Sequence, residues 1–70
     1  MMPLTLANTG DQNMILKVGG KPELKKHLED MGFVAGSSVR IVSEIGGNLI
    51  VNVKESRVAI SREMAAKIMV

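Results

Sequence analysis

Between Pro22 and Met31 the apolar residues Leu24, Leu28 and Met31 fall four and three apart, whereas elsewhere the apolar residues mostly alternate. The first spacing makes one stripe of a helix, and alternation makes one face of a strand. The pattern predicts a helix set among short strands. Glycine marks the joints: "VGGK" before the helix, "MGFVAGS" after it and "IGGN" between later strands. With 70 residues and no cysteine, the sequence predicts one domain over residues 1–70, held by its apolar core without a disulfide framework.

Read in order, "LTL" at Leu4–Leu6 is a short edge strand or lead-in, and "NTGDQN" is turn chemistry. "NMILKV" predicts a strand with Met14, Leu16 and Val18 on the inward face and Lys17 outward. Pro22 suits the first helical position, and Glu23 sits in the first turn, where the helix dipole favours an anion. Gly32 stands where a helix reverses through left-handed geometry, and the only aromatic, Phe33, follows as a plug that ties the helix end to the core. Gly36 predicts a second tight turn. Val39 and Ile41 then face inward, with a bulge or bend where Val42 and Ile45 break the alternation. After the "GGN" turn, Leu49, Val51 and Val53 face inward, as do Val58 and Ile60 after "KES". Ser61 reads as an N-cap of a short terminal helix with Met64 and Ile68 on its buried side. Short strands joined by tight turns predict a small closed barrel, since closure removes edges that so small a sheet could not protect.

Composition excludes several functions. So short a chain has few residues to spare for a deep substrate cleft. Net charge is only +2, with Lys25 and Lys26 the one adjacent basic pair, and base stacking lacks aromatic rings, so no nucleic-acid partner is expected. A groove for proline-rich peptides is unexpected for the same reason. The glycine pairs lack the Lys and Ser/Thr of a phosphate loop, so GTP hydrolysis is not expected, and no nucleophile stands beside a base. No secretory signal and no membrane span is legible, which predicts a cytoplasmic protein.

Glu23, His27 and Asp30 are spaced four and three on the helix, and imidazole with carboxylates suits Fe2+ or Zn2+. The favoured reading is an ion-pair surface of Glu23 with Lys26 and Lys26 with Asp30, with His27 flanking the core and no cofactor required. Six methionines read first as gap-fillers of a small core and second as an adaptable contact surface.

"HLEDMGFVAGSSVRIV", "IGGNLIVNVKESRVAIS" and "EMAAKIMV", in this order, resemble the FeoA family from Leu4 to Val70. The sequence departs from the family pattern at Ala35, where Pro usually precedes the glycine, at "IGGN" and "KES" in the hairpins, and at Ser61, near the usual Arg. The resemblance implies a mainly β fold: an SH3-like barrel with one helix inserted after the first main strand and a short C-terminal helix. It implies a non-enzymatic cytosolic accessory that binds and regulates the ferrous iron permease FeoB and its G-protein domain, meeting the membrane only through that partner. The alternative it implies is a metal-responsive module of the repressor C-terminal type. Together with the helix periodicity, it places docking on the helix, with Lys25, Lys26 and Glu29 at the rim and Leu28 and Met31 anchoring the backing core.

Overall fold

In the computed structural model, which describes all 70 residues, the segment 12–18 is broken in the middle and serves two sheets. Strand β1 (Gln12–Met14) pairs with β3 (Ser38–Ile45), and β2 (Lys17–Val18) pairs with β6 (Ile68–Met69). At the break, the Ile15 amide donates to the Ser37 carbonyl and the Gly36 amide donates to the Ile15 carbonyl, both at 2.8 Å. The strand thus turns its corner on Gly36, whose φ of +92° is the left-handed backbone that the turn needs.

The larger sheet has the order β1-β3-β4-β5, all antiparallel, with β4 at Asn48–Val53 and β5 at Ser56–Ser61. The expected irregularity lies at Val42: Ile41 pairs with Val51 and Ser43 with Ile50, so one residue is extra. Val39, Ile41, Leu49, Val51, Val53 and Ile60 face inward as their alternation predicts, while Val58 is half-buried.

Helix α1 (Pro22–Asp30) buries Leu28 and half-buries Leu24 and Met31. Its end satisfies two of its last carbonyls: the Gly32 amide donates to Glu29 and the Phe33 amide to Leu28, each at 3.0 Å. Phe33 is wholly buried, so the one aromatic plugs the core beneath the helix end. The core takes a side chain from every element except β1, and it contains no polar side chain, so nothing inside needs a hydrogen-bond partner.

Three expectations are corrected. "LTL" is a turn of 3-10 helix in which the Leu6 amide donates to Pro3 and the Ala7 amide to Leu4; Leu4 is buried and Leu6 exposed. In "NMILKV", Met14 and Leu16 are exposed, and it is Ile15 that is buried with Val18. The corner at residues 15–16 resets the side-chain alternation, so one unbroken period fits the wrong residues. The terminal helix α2 (Arg62–Ala65) is one turn long, and it buries Ala65 and half-buries Met64; Ile68 is buried from β6. Pairing with β2 and with Met2, whose amide and carbonyl both bond Val70 at 2.9 and 2.8 Å, holds this tail extended.

Closure also differs in detail. The fold is mainly β with six strands and two helices, but the ladders form a four-stranded and a two-stranded sheet rather than one continuous ring. The shared segment 12–18 joins them at one corner, and α2 bridges β5 to β6 at the other.

Candidate docking surface

The outward side of α1 follows from its stripe: with Leu24, Leu28 and Met31 turned inward, Glu23, Lys25, Lys26, His27, Glu29 and Asp30 are all exposed. Leu28 has no exposed surface and Met31 is half-buried, so both back the helix, and only Lys25, Lys26 and Glu29 of the predicted docking residues can meet a partner broadly.

Glu23, His27 and Asp30 lie on this exposed side, and nowhere in the fold do three or more His, Asp or Glu side chains gather so as to hold a metal ion. The ion pairs expected between Glu23, Lys26 and Asp30 are absent; the one ion pair joins Arg62 to Glu44. Exposed pairs at this spacing gain only a few tenths of a kcal/mol, too little to hold two long side chains in one geometry.

A second feature is apolar. Leu16 and Met14 are half or more exposed on either side of the buried Ile15, and Met1 is exposed by 80%. Leu16 and Met1 flank the small sheet, where Leu16 donates its amide to the Met69 carbonyl and Pro3 bridges Met69 from the other side, whereas Met14 ends β1 in the large sheet. A shallow pocket of about 280 Å³ opens there between Met1, Lys17, Lys67 and Met69. Helix α1 packs against β2 of the same small sheet. Methionine suits such a surface because it is unbranched and adapts its shape. Sequence reasoning missed Met14 and Leu16 as surface residues because alternation alone cannot reveal a corner inside a strand.

The pairing of Met2 with Val70 brings both chain ends to this edge. Any sequence joined to either end would leave from beside these exposed apolar side chains.

Comparisons with known proteins agree with this architecture. The FeoA domain family model matches residues 2–70. A protein of Methanocaldococcus jannaschii, named as an Fe(2+) transport protein A, is 33% identical over 70 residues, covering all of this chain and 85% of its own length. A Porphyromonas gingivalis protein, named as a fusion of Fe(2+) transport protein A with the Fe(2+) transporter FeoB, is 34% identical over 69 residues; the match covers 96% of this chain and 8% of that one. Among solved structures, the Stenotrophomonas maltophilia FeoA complexed with zinc, described as an SH3 domain protein, superposes with a TM-score of 0.84 at 25% identity, over 99% of this chain and 88% of that one. The fold is SH3-like, and the chain belongs to the FeoA domain family.

Proposed function

We propose that this protein is a non-enzymatic accessory of ferrous iron uptake, which works in the cytoplasm by binding the cytosolic part of a FeoB permease and tuning its transport. One observation carries the reading: in the Porphyromonas gingivalis relative, a stretch like this chain is continuous with a FeoB transporter, which keeps the two at high local concentration.

Docking uses the edge where the chain ends meet. Leu16, Met14 and Met1 supply apolar area that a partner can desolvate, and Lys25, Lys26 and Glu29 on α1 form its charged rim over the core anchors Leu28 and Met31. The role needs no metal at Glu23, His27 and Asp30.

Co-purification of the protein with the permease from a membrane fraction, with and without a GTP analogue, tests the reading. Wild type is retained, Leu16→Asp releases it, and the triple reversal K25E/K26E/E29K weakens it. Retention unchanged by the triple reversal removes the α1 rim from the site. No retention of wild type in any nucleotide state overturns the function.

A further inference from the structure

The outer face of the large sheet carries a polar row that none of the preceding roles uses. Gln12 pairs with Arg40 across β1 and β3, Arg40 with Asn52 across β3 and β4, and Asn52 with Arg57 across β4 and β5. Directly paired residues share a face, so four side chains stand in line across the four strands, opposite the core. Within this row, Arg40 donates to Gln12 Oε1 at 3.2 Å and Arg57 donates through Nε to Asn52 Oδ1 at 3.3 Å. Both acceptors are neutral amides. They orient the two guanidinium groups without neutralising either, and each guanidinium keeps most of its five donors free.

Two contiguous open grooves of about 310 and 490 Å³ run along this row and share Asn52 and Lys54. Their lining carries three cations, Arg40, Lys54 and Arg57, against the single carboxylate Glu55. The surplus of two positive charges equals the net charge of the whole chain, +2, so the remaining surface is balanced.

We infer that this face binds a carboxylate-rich extended segment of a protein partner, gripped by Arg40 and Arg57 with Lys54 beside them. Guanidinium groups match carboxylates in planar, two-pronged pairs. Arg40 and Arg57 stand two strands apart, roughly 10 Å between backbones. That spread suits several carboxylates along a chain better than one phosphate. Phosphate sites also draw on a helix N-terminus, and no helix residue lines either groove. Nucleic acid would lack rings to stack on, since Phe33 is buried. The inference goes beyond the permease reading and holds whichever protein supplies the segment.

The test is an NMR titration of the full chain with a blocked peptide bearing glutamate at every second position, with its glutamine counterpart, with inorganic phosphate and with a single-stranded oligonucleotide. The acidic peptide shifts the amides of Arg40, Asn52 and Arg57 saturably, and its affinity falls roughly tenfold as salt rises from low to about 0.3 M. The double variant R40Q/R57Q weakens it by about tenfold or more, while K25Q/K26Q, which removes the same charge from α1, leaves it unchanged. Equal binding of the glutamine peptide, equal or tighter binding of phosphate or a single-stranded oligonucleotide, or equal weakening by K25Q/K26Q would overturn the inference.

Discussion

The Phe33 amide donates to the Leu28 carbonyl at 3.0 Å across the end of α1, and the side chains of both residues are wholly buried. One short reversal thus caps the helix and fills the core beneath it. Backbone capping fixes where the ring enters, and the buried ring holds the reversal closed. Large apolar rings are otherwise absent, so no neighbour can take over the volume that Phe33 fills.

Phe33→Ala should therefore be severe. Removing a buried ring costs about 3–5 kcal/mol, and a chain of this length has roughly 4–10 kcal/mol in total. The variant is expected to be largely unfolded or to lose most of its urea midpoint, followed by circular dichroism. Phe33→Leu, which keeps much of the volume, should fold with a smaller loss. A Phe33→Ala midpoint within error of wild type would contradict the plug.

Gly32 and Gly36 separate backbone strain from crowding. Their φ values are +106° and +92°. A Cβ on Gly36 would meet nothing within 4 Å, and one on Gly32 would meet only the Lys54 side chain at ordinary contact distance. Alanine at either position should then cost a similar amount, about 1–3 kcal/mol, from conformation alone. Chemical denaturation of both variants checks this. A loss at Gly32 well above that at Gly36 would mean that Lys54 cannot yield.

How much of this was legible depends on whether local pattern and global path agreed. The α1 stripe, the Gly32–Phe33 reversal, the bulge near Val42 and the Ser61 cap were all readable, because spacing and residue chemistry pointed to one geometry. Met14, Leu16 and the tail at Ile68 were misread because long-range pairing decided them: the corner at Ile15 hangs on Ser37 and Gly36, and β6 on β2 and Met2. The row from Gln12 to Arg57 was invisible for a related reason. Its four members lie in four strands, and only the register brings them together.

The corrected strand face gives a direct comparison. Ile15→Ala should cost about 2–5 kcal/mol, as a truncation in a closed core does. Leu16→Ser and Met14→Ser, at positions 51% and 59% exposed, should stay within about 0.5 kcal/mol of wild type. Thermal melts of the three variants read this order directly. If Leu16→Ser proved as damaging as Ile15→Ala, the alternating face first expected for "NMILKV" would be the correct one.

The Ser61 hydroxyl accepts the Met64 amide at 3.1 Å at the start of α2, a helix of one turn that joins β5 to β6. A helix this short cannot stand on propensity, so its cap and the buried Ala65 decide whether it forms. Ser61→Ala removes the acceptor and should cost about 1 kcal/mol, while Ser61→Asp keeps one and should restore most of it. Because α2 is the bridge between the two sheets, the loss should be read locally as well as globally: amide hydrogen exchange at Ala65, Ile68 and Met69 should quicken in Ser61→Ala before that of β3 and β4. Exchange that rises uniformly across all strands would instead mean that the bridge and the large sheet open as one unit.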